Sequence, residues 1–181
     1  MKPLISIVIP SNNRTELLDE AILSIIIDPS WSSDCELCIS DNSEGYGTEN
    51  LILSKYSDNS QIVYRRSLDA PSLDENVNMA ISMAKGEYVW IFGDDDLIFE
   101  NFLAELITYL KSRSPDIVIL NSCSFQEQGQ VEASRMTLDS LKVYGPDDDD
   151  LFLTDHGAYV TYLPCIVIRK RLWKRFFRPE K

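Results

Sequence analysis

The sequence has no apolar stretch long enough to span a bilayer. Its N-terminal run, residues 4–9, follows a single Lys and is too brief for a membrane helix or the core of a signal peptide, which predicts a cytoplasmic address. It also lacks a Gly-rich phosphate loop, either G-x-G-x-x-G or a Walker sequence. That argues against dinucleotide enzymes and ATPases, which hold a diphosphate in a nest of backbone amides. Basic residues are scarce: 17 Lys and Arg stand against 29 Asp and Glu, a formal net charge of -12. No positive face for phosphate-backbone recognition can be built from that balance, so no nucleic-acid partner is expected. Histidine occurs once, as His156, and cysteine four times. Cys35 and Cys38 form a C-x-x-C beside a strand expected over residues 36–40, where side chains three apart face opposite sides. They read as ordinary, partly buried thiols rather than as a zinc or redox pair.

What is present is a regular alternation. The 181 residues, 44% hydrophobic and 25% charged, suit one domain with one sizeable core. Residues 4–9 are β-branched and end at Pro10, as a strand buried on both faces would. A turn over 11–14 follows. Leu17, Leu18, Ala21, Ile22, Ile25 and Ile26 then recur at helical spacing. A strand over 37–40 ends at Asp41, a helix is expected near 48–56, and a third strand covers 62–65. Ser72 and Glu75 form a capping box that starts a helix through Asn76, Met79, Ala80 and Met83. Residues 88–92 are the most apolar strand, central in the sheet, and run into Asp94, Asp95 and Asp96. A helix over about 101–111 and a strand over 117–120 complete the fourth repeat. The pattern predicts an α/β fold, a mostly parallel sheet with helices on both faces and its ligand beyond the carboxyl ends of the strands.

From Phe125 onward the pattern loosens. Residues 126–130 are polar, and the acidic run over 147–150 reads as a solvated loop. Residues 159–168 are apolar enough for a strand, and 169–177 mix Arg and Lys with Trp173, Phe176 and Phe177 at helical spacing. Neither an internal repeat nor a low-complexity segment is evident.

The chemistry-bearing residues fall where such a sheet places its ligand: residues 10–14 after the first strand, Asp41 and Asn42 after the second, and residues 94–96 after the fourth. Adjacent carboxylates repel, and burying one unpaired is costly, so a cation commonly stabilises such a cluster. If the segment is extended, Asp94 and Asp96 point to one side and could share a Mg2+ or Mn2+. The competing reading is an exposed acidic turn capping the next helix. Without a phosphate loop, a metal would have to hold a nucleotide's diphosphate.

Four segments, in order, resemble family 2 glycosyltransferases. Residues 6–14 resemble the opening strand and donor-binding turn, and residues 39–43 the second-strand motif whose Asp contacts the base or ribose. Asp74, Glu75 and Asn76, followed by residues 84–88, resemble the segment leading into the metal motif. The wording of 88–96 is most similar to abequosyltransferase-like enzymes of bacterial surface-polysaccharide synthesis. The resemblance covers about the first hundred residues well. It implies a Rossmann-like GT-A fold and inverting, metal-dependent transfer from a nucleotide-diphosphate sugar to a glycan or lipid-linked acceptor. Pro10, Ser11, Asn13, Arg14, Asp41, Asn42, Asp74, Asn76, Asp94 and Asp95 would bind the donor. Asp94, Asp95 and Asp96 are the metal candidates, cofactor Mg2+ or Mn2+. Alignment backward from Leu97 sets Gly93 at the motif's first Asp and favours Asp95 with Asp96, whereas the extended-segment reading favours Asp94 with Asp96; both registers stand.

Residues 1–122 would form the nucleotide-sugar-binding part of a single domain, and 123–181 an incomplete acceptor-side part. Residues 163–173 resemble the segment before the family's catalytic base, and the sequence stops soon after, which leaves Asp155 and His156 as the candidates for the base. An inactive donor-binding module is the near rival. A response-regulator domain would want an acidic pair after its first strand, where this chain has Asn12 and Asn13, and a nucleotidyltransferase would want a basic triphosphate loop. The cations of 169–178 suggest a peripheral contact at the inner face of a membrane, against the plainer reading of a helix packed on the domain.

Overall fold

The computed structural model describes residues 2–125, 131–134, 136 and 141–176. The polar segment 126–130, and Phe177 and Arg178 of the basic segment, lie outside the described residues.

Strand β1 (Ile5–Ser11) leads through a turn to α1 (Thr15–Ile26), then β2 (Cys35–Asp41) and α2 (Gly47–Leu51), which runs into a π-helical turn at Ile52–Tyr56. After β3 (Ile62–Arg66) come α3 (Leu73–Met83), β4 (Tyr88–Ile91), α4 (Phe102–Arg113) and β5 (Ile117–Ile119). The rest comprises β6 (Cys123–Phe125), β7 (Val131–Ser134), α5 (Asp149–His156), a 3-10 turn at Leu163–Cys165, β8 (Ile166–Arg169) and α6 (Lys170–Phe176).

The main sheet has the order β3-β2-β1-β4-β8-β5. β3, β2, β1 and β4 are parallel, and β8 enters antiparallel between β4 and β5. β1 alternates Ile5, Ile7 and Ile9 toward one face and Val8 toward the other. The first set packs with Leu18 and Ile22 of α1 and Leu103 and Leu110 of α4; Val8 packs with Val77 and Ile81 of α3. With both faces covered, β2 is buried at all seven positions, Glu36, Ser40 and Asp41 included. Cys35 and Cys38 sit in opposite cores and are fully rather than partly buried, with burial pushing their thiols up to about 11 and about 12.

Two expectations need correction. The acidic run is not all loop, since Asp149 and Asp150 form the first turn of α5, where carboxylates are favoured by the helix dipole. Residues 159–168 are not one strand: Pro164 sits in the 3-10 turn, and only Ile166–Arg169 joins the sheet. The small β6–β7 hairpin was not foreseen. The capping box is present as expected: Ser72 accepts from the Glu75 amide while the Glu75 carboxylate accepts from the Ser72 amide. Gly86 is required by close approach, because a Cβ there would lie 2.6 Å from Ser6 Oγ and 2.7 Å from its backbone nitrogen. That contact ties the end of α3 to β1, with buried Glu36 accepting from Ser6 Oγ and from the amides of Lys85 and Gly86.

Candidate active site

Register brings the site together. Ser11 lies opposite Asp41 where β1 and β2 end, and the Phe92 amide donates to Val8, so residues 93–96 leave the sheet beside Pro10 and Ser11. The turn after β1 is shaped by Asn13, which holds a left-handed conformation at φ 56° that Asn tolerates better than most residues. Its amide donates to Ser43 Oγ at 2.7 Å, and its side-chain oxygen accepts from the Glu44 amide at 3.2 Å. Asn12 donates to Asn42 Oδ1 at 2.8 Å. Asn76, buried on α3, donates to the Ser11 carbonyl and to Asn42 Oδ1, and accepts from Ser40 Oγ at 2.6 Å. One polar network therefore joins the ends of β1, β2 and α3. Asp74 stands exposed on the first turn of α3.

Asp41 is fully buried, with Oδ1 accepting from the Ser43 amide and Oδ2 from the Tyr64 hydroxyl, both at 2.9 Å. The Tyr64 phenol is raised, by burial first and by Asp41 second. Neither Ser43 nor Tyr64 was foreseen. Ser43 could have been, because an Asp two residues before a Ser commonly closes such a turn. Tyr64 depended on a strand register that sequence does not print.

The three consecutive aspartates diverge, because Asp94 and Asp95 form a turn and not an extended segment. Asp94 is 7% exposed; its Oδ2 accepts from Ser11 Oγ at 3.0 Å and its Oδ1 from Arg14 Nη1 at 3.1 Å. Burial raises the Asp94 carboxyl above its ordinary range, against the pull of the Ser11 hydroxyl and the Arg14 guanidinium. The same Arg14 nitrogen donates to Asp95 Oδ2 at 2.9 Å. Asp96 turns back, its Oδ2 accepting from the Gly93 amide at 3.2 Å. Hence Asp94 and Asp96 do not share a side, which corrects the extended-segment expectation. Among the described residues no group of three or more His, Cys, Asp or Glu side chains is arranged to hold one ion, so the trio is not a three-ligand cage.

Asp95 and Asp96 do converge. A Cβ at Gly93 would lie 2.4 Å from Asp96 Oδ2 and 3.1 Å from Asp95 Oδ1, so both carboxylates lie against a backbone position that only glycine leaves open. Two carboxylates brought this near one another suit a hard cation such as Mg2+, which is usually bound by one or two carboxylates plus waters and substrate phosphates. Beside Asp96 a cavity of about 420 Å³ opens between α1, α4 and the 3-10 turn, lined by Trp90, Phe92, Phe99, Phe102, Tyr162 and Asn121 among others.

Asp155 and His156 do not line that cavity. Asp155 Oδ2 accepts from Lys142 Nζ at 2.8 Å and the Tyr144 hydroxyl at 2.7 Å, which hold its carboxyl below the usual carboxylate range. His156 is buried, its Nε2 2.9 Å from the same hydroxyl and its Nδ1 without a hydrogen-bond partner among the described residues. In the basic segment, Arg169 binds Glu87 and Asp116 and lies over the Tyr88 ring, Lys170 donates to the Ala84 carbonyl and Arg171 pairs with Asp116. Trp173 packs on the α3 core and donates to Asn78. No helix among the described residues is long and apolar enough to cross a membrane.

The glycosyl transferase family 2 profile matches residues 6–176. The chain belongs to this family. It is 35% identical over 180 residues to abequosyltransferase RfbV of Salmonella typhimurium, a match covering 94% of this chain and 54% of that protein. It is 31% identical over 118 residues to the poly(ribitol-phosphate) β-N-acetylglucosaminyltransferase TarP of Staphylococcus aureus, covering 64% of this chain and 35% of that protein. The chain thus spans about half or less of the length of these relatives. Its fold is GT-A: Staphylococcus aureus TarS 1-349, solved with UDP-GlcNAc, superposes with a TM-score of 0.70 at 18% identity over 95% of this chain and 47% of that one. The mannosyltransferase PcManGT of Pyrobaculum calidifontis, solved with GDP-Man and Mn2+, gives 0.65 at 16% identity over 97% and 47%.

Proposed function

We propose that this family 2 chain binds a nucleotide-diphosphate sugar at the carboxyl ends of β1, β2 and β4 and serves inverting transfer of the sugar to an acceptor hydroxyl in bacterial surface-polysaccharide synthesis. The observation that carries the reading is the convergence of Asp95 and Asp96 beside Gly93, next to Arg14 and to the Asn12–Asn42–Asn76 network. Asp95 and Asp96 would hold Mg2+ or Mn2+, which when bound neutralises the departing diphosphate. That choice fits the register in which Gly93 takes the place of a first aspartate. Asp94 instead positions Ser11 and Arg14. Asn42 and Asn76 fix the crevice floor, and Asp41 acts on the nucleoside through Tyr64 and Ser43, since its own carboxylate is buried. Pro10 and Asn13 shape the turn, leaving Arg14 to face the diphosphate.

Asp155 makes a poor base. Its acceptor oxygen is occupied and its pKa is moved away from the neutral range where a general base works best. We therefore assign Asp155 and His156 to holding α5. Arg169, Lys170 and Arg171 are engaged within the chain, which favours the plainer reading of 169–178 as a segment packed on the domain over a membrane contact.

Calorimetry with UDP-GlcNAc and GDP-Man, with Mn2+ and then with EDTA, tests the proposal. A donor should bind only with the metal, and Asp95→Ala and Asp96→Ala should each weaken it by about tenfold or more while melting near wild type. Binding that survives EDTA and both substitutions would reject the metal-held diphosphate. Product assays on the same samples separate transfer from binding alone.

A further inference from the structure

Arg14 joins two of the three aspartates that follow β4. It leaves the turn after β1 at the start of α1, and one nitrogen, Nη1, spans Asp94 Oδ1 at 3.1 Å and Asp95 Oδ2 at 2.9 Å. Its side chain is half exposed, and its Nε and Nη2 donate to none of the described residues. Asp95 is the shared residue: one oxygen faces Arg14 while the other lies against Gly93, as Asp96 Oδ2 does.

We propose that Arg14 is a resident counter-cation of this turn, which opposes metal binding in the free protein and ligates the diphosphate once it arrives. The proposal rests on the metal-held diphosphate reading above. A guanidinium on Asp95 Oδ2 neutralises part of the charge that would draw a divalent ion to Oδ1, and it repels that ion directly. A diphosphate reverses the balance. Its oxygens would give the unused Nε and Nη2 donors a fork-shaped partner, and its negative charge would offset the repulsion between guanidinium and metal, so that both cations are retained. Metal and diphosphate therefore bind cooperatively, with Arg14 coupling them. The turn avoids a firmly held metal without substrate, and the donor completes the site it occupies.

The coupling gives Arg14 effects of opposite sign on the two ligands, which a strut that merely shaped the turn would not show. Mn2+ binding can be followed by loss of the free-ion electron paramagnetic resonance signal, and inorganic pyrophosphate binding at saturating Mn2+ by calorimetry. Arg14→Met should bind Mn2+ alone about threefold to tenfold more tightly than wild type, and pyrophosphate about tenfold more weakly, the loss of charge-assisted hydrogen bonds. Arg14→Lys keeps the charge but not the fork, so its Mn2+ affinity should stay near wild type while pyrophosphate affinity falls. Should the methionine variant not fold, Arg14→Gln repeats the test. An unchanged Mn2+ affinity, or a parallel loss of both affinities, overturns the role given to Arg14. If wild type, Asp95→Ala and Asp96→Ala bind Mn2+ alike, the metal reading itself falls.

Discussion

Asp94 shows how the site and the fold pull against each other at the scale of one residue. Its carboxylate is nearly out of solvent and is raised mainly by burial, so the folded state favours its protonated form more than the unfolded chain does. For an acid with a raised folded pKa the stabilising contribution is present at low pH and is lost as pH rises through that value, so ionised Asp94 is a net cost near neutrality. Asn at this position removes the charge and retains an oxygen for the Ser11 hydroxyl. Asp94→Asn should therefore melt a few degrees higher than wild type at pH 7 in EDTA, a domain of this size shifting about 2–4 °C per kcal/mol. The gap should close near pH 4, toward the ordinary carboxylate value of about 3.9. A lower melting temperature at pH 7 would mean that the Arg14 pair outweighs the burial, and Asp94 would then be a stabilising residue. Burial and the Ser11 contact set Asp94 apart from Asp95, with which it shares Arg14, so neighbouring aspartates that look interchangeable in sequence have different surroundings.

At the scale of elements, what was legible depended on burial. β1, β2 and β4 are enclosed on both faces and are apolar enough to read as strands, although β2 also buries Glu36, Ser40 and Asp41, and α1 and α3 carry their periodicity and capping box openly. The insertion of β8 between β4 and β5 was not legible, because strand order is settled by long-range packing and four residues carry no mark of it. α5 was hidden for another reason: only His156 of its residues is buried, so no apolar stripe announces it. In the site, the crevice residues were readable from strand ends, but the division of labour among residues 94–96 was not, since it depends on a turn where an extended segment was expected. α5 is held by Lys142 and Tyr144 on Asp155 and by the His156 ring against Tyr144, Phe152 and Tyr159. Asp155 has a depressed folded pKa, so its contribution is present above the unfolded value of about 3.9 and is lost as pH falls through the folded one. Calorimetric scans from pH 6 to 3 should show wild type losing more melting temperature than Asp155→Asn, with the two converging at the acid end. Parallel loss in both proteins would remove Asp155 from the account of α5.

Across the whole molecule these differences amount to a gradient of local stability. Ile5, Ile7, Val8 and Ile9 of β1 have no exposed surface, β2 is buried throughout, and β1 is flanked on both sides by parallel partners. Opening those amides requires separating two cores, so they should exchange only by global unfolding. α5 differs: Leu151 and Leu153 are 54% and 58% exposed, and the preceding Leu141 and Val143 are 65% and 76% exposed, so little apolar contact resists opening. Regions with few buried contacts open by sub-global motions well below the global free energy. Hydrogen exchange read by mass spectrometry at pH 7 should therefore rank β1, β2 and β4 slowest and residues 141–156 fast, by about two orders of magnitude or more in protection. Adding Mn2+ and pyrophosphate should slow residues 11–14 and 93–97, where the carboxylates and Arg14 meet, and leave 141–156 as they were if α5 lies outside the donor site. Protection spreading to α5 would instead place Asp155 and His156 within reach of the ligand and reopen the assignment of the base. Exchange in α5 as slow as in β1 would show that the Tyr144 and His156 contacts tie it to the global core, and the gradient argued from burial would be wrong.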